Sequence, residues 1–216
     1  MAKGEYDGVA AAFEVLLDAS PNERRVQRFL KPYPYVVRNA FNGWAWNSVD
    51  VKAEFSFGRD CVADFLILSA HSGAWHTVMI ELESPTARPF TKKGNPSKAL
   101  AEGLAQVDQW NIWIKRNEAL FREKLSTLLE LKRIPAQCSN ASAHQLAHTE
   151  IRDPRTVIHK EYVVVVGRRT SFFNSDTQGR RGEYHLRGHR IASYDRLLDQ
   201  AKHLDPARNS EARSAG

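Results

Sequence analysis

The chain has 216 residues, 42% of them hydrophobic and 10% aromatic, with five tryptophans and no long single-residue tract. That is enough apolar side chain to bury one core and excludes wholesale disorder. Thirty-one Lys and Arg stand against 25 Asp and Glu, a formal net charge of +6 with a sequence pI near 9.4, which favours anionic partners. No window approaches the roughly 18 apolar residues that span a bilayer, and the opening MAKGEYDGVAAAF lacks a signal-peptide core, so a cytoplasmic protein with no membrane partner is expected. Cys61 and Cys138 lie 77 positions apart in such a chain and read as reduced thiols.

In chain order, Val9 to Leu17 has apolar residues at helical spacing. Ser20-Pro21 restarts a second helix with Val26, Phe29 and Leu30 as its apolar face, and Pro32 and Pro34 end it. Trp44, Trp46 and the alternating stretch Val49 to Phe57 predict extended chain, turned by Gly58-Arg59-Asp60. Cys61 to Ser69 and Trp75 to Leu82 are apolar runs of strand length separated by His71-Ser72-Gly73, so three strands form an antiparallel meander. Ser97 caps a long helix whose apolar residues Leu100, Leu104, Val107, Trp110 and Ile114 recur through Arg116. A further helix runs from Glu118 to Lys132, and residues 136–158 read as a polar loop excursion. The run Glu161 to Gly167 is a strand covered on both faces. Ile191 to Tyr194 is a last short strand, Asp195 to Leu204 a closing helix, and 205–216 a frayed tail. The order is that of one α/β domain over residues 1–204, with a mixed β-sheet flanked by helices and no internal repeat.

Three carboxylates interrupt this apolar pattern: Asp64 inside CVADFLILS, and Glu81 and Glu83 at the end of WHTVMIELES. Charges within core-like strands need a cation, an ion pair or partial exposure, because an unpartnered buried carboxylate costs several kcal/mol. Glu81 and Glu83 are two apart, which places both on one face of a strand with Leu82 on the other. Hard divalent ions such as Mg2+ or Mn2+ take oxygen ligands of this kind. The plainer alternative is a solvent-facing acidic strand end. Between Ile151 and Arg190 nine Lys or Arg face four acids, a stretch suited to phosphate. His144 and His148 have the spacing of a zinc helix, but Gln145 stands where the catalytic Glu belongs and no third ligand is evident.

Asp64, sixteen intervening residues, Glu81-Leu82-Glu83 and the helix carrying Gln106-Val107-Asp108-Gln109-Trp110 together resemble the PD-(D/E)XK nuclease superfamily. Within it the chain resembles the nuclease domain of the Shedu anti-phage defence proteins. The stretches that carry the likeness are RFLKPYPYVV, EFSFGRDCVADFLIL, VMIELESP with FTKKGNPSKAL, LAQVDQWNIWI, VVVVGRR and IASYDRLL, from Arg28 to Leu198. The resemblance implies a restriction-endonuclease-like core, DNA as partner, and Asp64 and Glu81 as ligands of Mg2+ or Mn2+. It places Glu83 where the superfamily usually has a catalytic Lys; a carboxylate there acts as base or recruits a second cation. Gln106 would orient a water or a ligand, and Glu54, in the EFSFG block, would complete the acidic cluster. Lys92, Lys93 and Lys98, after the strand, either supply the missing positive charge or form a solvated loop, and Arg168 and Arg169, after VVVVG, either fork onto phosphate or pair with nearby acids. The roughly 27 residues before the likeness are too few for the sensing segment that such proteins often carry, so sensing is expected from elsewhere.

Two functions follow as expectations. One is a metal-dependent DNA endonuclease or nickase in phage defence, with Asp64, Glu81, Glu83 and Gln106 as its catalytic residues. The other is a nucleic-acid-binding or self-assembling regulatory module on a nuclease fold that no longer cleaves. Assembly into a homo-oligomer stays open.

Overall fold

A computed structural model describes residues 6–41, 48–59, 61–71, 74–131 and 150–205. Trp44, Trp46, Asp60, Ser72, Gly73, Cys138, His144 and His148 lie outside them, as do most of the 136–158 excursion and the chain after Asp205. No helix among the described residues is long and apolar enough to cross a membrane.

Three short helices open the chain. Helix α1 (Val9–Asp18) buries Val9, Phe13 and Leu17, one turn apart. Helix α2 (Glu23–Leu30) starts where the Asn22 side chain accepts a hydrogen bond from the Arg25 N–H, and buries Val26 and Leu30. The third, α3 (Pro34–Phe41), corrects the expectation that Pro34 terminates helix. Proline lacks only an N–H that a first turn leaves unbonded anyway, so Pro34 opens α3 instead of ending α2.

Strands β1 (Ser48–Ser56), β2 (Val62–His71) and β3 (Ala74–Leu82) form the expected antiparallel meander. Helix α4 (Lys98–Arg116) begins at Ser97, whose hydroxyl accepts from the Leu100 N–H, and α5 (Glu118–Leu131) follows directly. The chain then returns as β4 (Val157–Val165), which starts four residues earlier than the apolar run at Glu161 suggests. Buried Arg122 explains the return: its guanidinium donates to the carbonyls of Ile151, Asp153 and Thr156 at 2.9–3.2 Å and to Glu118, fastening the approach to β4 onto α5. A short 3-10 turn (Arg169–Phe172) and helix α6 (Ser175–Leu186) lead to β5 (His189–Ala192) and helix α7 (Tyr194–Leu204). Tyr194 therefore starts the last helix and does not end the last strand. Asp205 is buried and its N–H donates to the Ala201 carbonyl.

The sheet runs β1-β2-β3-β4-β5, with β3, β4 and β5 parallel, so the α/β class with a helix-flanked mixed sheet holds. Alternation along the strands feeds two cores. Trp75 and Met79 of β3 with Tyr162 and Val164 of β4 pack under α4 and α5, whereas Val78, Ile80, Leu82, Val163 and Val165 pack under α1, α2, α3 and α7. Phe57 sits edge-on against Trp110, Trp113 and Phe121 at 5.5–6.0 Å, so Trp110 is a core residue.

Gly167 knots the carboxyl ends of the parallel strands together. Its N–H donates to the Ser84 carbonyl after β3 and its own carbonyl accepts the Tyr194 N–H at the head of α7. Its φ of +65 suits glycine, and a Cβ there would meet the Ala87 carbonyl oxygen at 2.3 Å. Gly167→Ala is expected to cost about 2–4 kcal/mol of unfolding free energy in urea denaturation, from backbone strain plus a collision with main chain that cannot swing away. A change below about 0.5 kcal/mol, within the range of ordinary surface substitutions, would contradict this account of the knot.

Candidate functional site

The main-chain pairing of β2 with β3 stops at Phe65 and Ile80. One residue further, the Asp64 carboxylate replaces the ladder: Oδ2 accepts the Leu82 N–H at 2.8 Å while Oδ1 accepts from Gln27 Nε2 of α2 at 2.5 Å. Across the sheet, Ala53 pairs with Phe65 and Phe55 with Ala63, which sets Glu54 opposite Asp64. Glu54 has a left-handed φ of +52, the kind of local strain that strands rarely carry away from functional places. Its carboxylate pairs with Lys31 at 2.5 Å and stays half exposed, and its charge still reaches Asp64.

Glu81, the penultimate residue of β3, is only 9% exposed, and its Oε2 has no hydrogen-bond partner among the described residues. Glu83 lies just beyond the strand, half-buried, its N–H donating to the Val165 carbonyl and its own carbonyl accepting from the Tyr194 hydroxyl at 2.6 Å. Helix α4 closes over it at Gly103, where a Cβ would come within 2.9 Å of Glu83 Cγ and 2.8 Å of Val164 Cγ1. Only glycine lets the helix approach the carboxylate this closely. Tyr194 is wholly buried, and burial followed by the charges of Asp64, Glu83, Glu23 and Glu81 holds its hydroxyl far above its ordinary pKa, so it remains a donor.

Burial is the main cause that pushes all three carboxyls upward: Asp64 to about 6, Glu81 to about 9 and Glu83 to about 7. The charges acting most strongly on each are other carboxylates. Asp64 feels Glu23 and Glu54, Glu81 feels Asp64, Glu83 and Glu23, and Glu83 feels Glu102, Glu23 and Asp64. Glu23 from the head of α2 and Glu102 from α4 are thus members of the cluster that the strand motifs do not reveal. Spacing carries the missing signal: Glu23 and Gln27 are one turn apart on α2, as are Glu102 and Gln106 on α4.

Gln106 is half-buried, and its side chain makes no hydrogen bond among the described residues, so its side-chain amide is open to a ligand or water. Among the described residues no group of three or more His, Cys, Asp or Glu stands close enough to hold a metal ion together. The donor set nevertheless fits a hard divalent ion. Magnesium is ordinarily held by one or two carboxylates with water and phosphate, and Glu81 offers a buried oxygen that no described residue bonds.

The cationic residues fall into two groups. Arg168 bonds Asp18 at 2.9 Å and Asp195 at 3.2 Å, and Arg169 pairs with Asp199 while its N–H donates to Asp195. Both forks are therefore engaged within the fold. Arg155 and Arg190 are likewise engaged, by Asp153 and Glu161, so the 151–190 segment does not present all its charge to a partner. Lys92 and Lys93 remain exposed on the loop between β3 and α4.

Because the three folded-state pKa values exceed those of free carboxyls, the metal-free folded protein binds more protons than the unfolded chain, and stability is lost as pH rises through about 6 to 9. Thermal melts in EDTA are expected to fall from pH 5 to pH 9, and Glu81→Gln to flatten that slope and gain on the order of 3 kcal/mol at pH 8. A wild-type melting temperature that climbs across this range would refute the electrostatic picture.

Residues 20–198 match the family model described as Shedu protein SduA, C-terminal. No curated protein matches the chain.

Proposed function

The chain belongs to the Shedu SduA C-terminal family, and from that premise we propose that it is a divalent-metal-dependent DNA endonuclease or nickase acting in anti-phage defence. One observation carries the reading: the carboxylates of Asp64, Glu81 and Glu83 are gathered under burial, and the charges acting most strongly on them are negative. Such a cluster is costly in isolation and is relieved by a cation. The restriction-endonuclease-like assignment rests on the sequence likeness together with the mixed sheet and its two helical layers.

In this reading Asp64 and Glu81 hold Mg2+ or Mn2+, and Gln27 fixes the rotamer of Asp64 by its hydrogen bond to Oδ1. The bound ion would supply Lewis acidity toward a phosphodiester and lower the pKa of water. Glu83, near 7, is the carboxylate suited to take a proton from attacking water around neutral pH. Gly103 admits it beneath α4, and the Tyr194 hydroxyl anchors its main chain. Gln106, one turn from Glu102, would orient the water. Glu54 with Lys31 forms the outer edge of the cluster.

Glu83 also favours a second reading, a module that binds nucleic acid or self-assembles without cleaving, because a carboxylate cannot stabilise a developing phosphorane charge as an ammonium does. Incubating supercoiled plasmid with purified protein and Mg2+ or Mn2+ separates the two. Nicking or degradation is expected, with a loss of about 100-fold or more for Asp64→Ala and for Glu81→Ala while folding is retained. Glu83→Lys is expected to abolish cleavage if Glu83 serves as base or holds a second cation, and to preserve it if the position merely stands for the superfamily's lysine. Folded wild-type protein that leaves single- and double-stranded DNA and RNA intact with both metals would decide for the non-cleaving module.

A further inference from the structure

We propose that a cleft between the β3–α4 loop and the start of α6 is a strand-binding subsite for nucleic acid, in which a backbone phosphate sits among cations and an unpaired base stacks on Phe173. The inference rests on the reading that the chain acts on nucleic acid, and adds which strand state it grips and with which residues.

The cleft measures about 600 Å³, within the range of small-ligand sites. Arg88, Lys92, Lys93 and Arg180 line it, with Asp176 as its one lining acid. Among the described residues none of these four cations makes an ion pair within 4.0 Å, whereas Arg155, Arg168, Arg169 and Arg190 all rest on carboxylates. The cleft thus brings four uncommitted cations to one place. Arg180 is also placed. Its guanidinium lies so close over Gly94 that a Cβ would come within 2.2 Å of Cζ, and Gly94 takes a φ of +84 in a turn closed by the Gly94 N–H to Thr91 carbonyl bond. A guanidinium held this close against main chain has lost much of its side-chain freedom before any phosphate arrives, which favours a forked contact.

Position supports the ligand class. One wall follows the end of β3, where Glu81 and Glu83 lie, and the other follows the end of parallel β4, the edge at which α/β sheets bind ligands. Cations and carboxylates occupy the same sheet edge without neutralising each other. A polyanion running from the cleft toward a cation held by the carboxylates would satisfy both.

Phe173 gives the second, independent observation. It lies in the chain between the lining residues Ser171 and Asn174 and is 72% exposed, while its neighbour Phe172 is buried. A bare aromatic on the shoulder of a cationic cleft is the pairing that single strands use, with the backbone held by charge and bases stacked on rings. A duplex keeps its bases stacked inside and has none to offer Phe173.

The test is fluorescence anisotropy in EDTA, with a labelled single-stranded oligonucleotide and its duplex, for the wild type and for Lys93→Gln/Arg180→Gln and Phe173→Ser. Every substituted side chain is wholly or partly exposed, and thermal melts check folding. The double variant is expected to weaken single-strand binding about tenfold or more and to lower the slope of log affinity against log salt by about 1–2. Phe173→Ser is expected to weaken it about tenfold at unchanged slope, with little effect on duplex. Wild-type affinity in both variants would overturn the subsite, and equal losses on duplex would overturn the stacking. Displacement by micromolar mononucleotide or inorganic phosphate would overturn the strand in favour of a free-nucleotide site. Cleavage is absent in EDTA, so the two readings fail separately. Variants that bind normally leave the metal-dependent reading standing, and a cleft that binds strands in a protein that never cleaves leaves the cleft standing.

Discussion

Glu81 brings a carboxylate to a place that water barely reaches, next to Asp64 and Glu83 and within the field of Glu23. Left alone, each additional negative charge there opposes folding, because desolvation and like-charge repulsion act in the same direction. The surrounding fold does little to cancel that opposition. Asp64 receives two neutral donors, Lys31 reaches only the peripheral Glu54, and the arginines after β4 bind other acids. On the proposed reading, the electrostatics of this site are completed by something positive from outside.

Much of the local architecture can be read as the means of keeping that site intact. The β2–β3 ladder ends so that Asp64 can take the Leu82 amide. Gly103 lets α4 descend onto Glu83, Tyr194 fixes the Glu83 carbonyl from the far side of the sheet, and Gly167 ties the exits of β3 and β4 to the start of α7. These contacts come from four elements distant in sequence. Losing any one would remove a contact that positions a carboxylate, and metal and proton-transfer chemistry is sensitive to displacements of fractions of an ångström.

The elements with a strong apolar period were legible from sequence: the meander, Ser97 and the stripe of α4, and the VVVV strand that feeds both cores. Asp64, Glu81 and Glu83 stood out for the complementary reason, as charges in apolar runs. Helix α6 was not legible, because it buries only Thr177, contains Gly179 and Gly182 and so shows no stripe, yet β4 and β5 are parallel and need a crossover. Helix α3 was hidden by prolines that read as terminators. Glu23 and Glu102 escaped because exposed acids on helices look alike until the fold sets them beside a buried one. Arg168 and Arg169 show the converse, since local charge counts do not register that Asp18, Asp195 and Asp199 lie across the fold.

The central claim is that the acidic cluster is completed by a divalent cation, and carboxyls that are protonated near neutrality must release protons to bind one. Calorimetric titration of metal-free protein with Mn2+ at pH 7, repeated in buffers of different ionisation enthalpy, counts those protons directly. Binding with release of about one proton or more per ion is expected, reduced in Glu81→Gln. Folded protein that takes up no ion, or binds it with no proton displaced and with the same affinity in Glu81→Gln, would contradict the account.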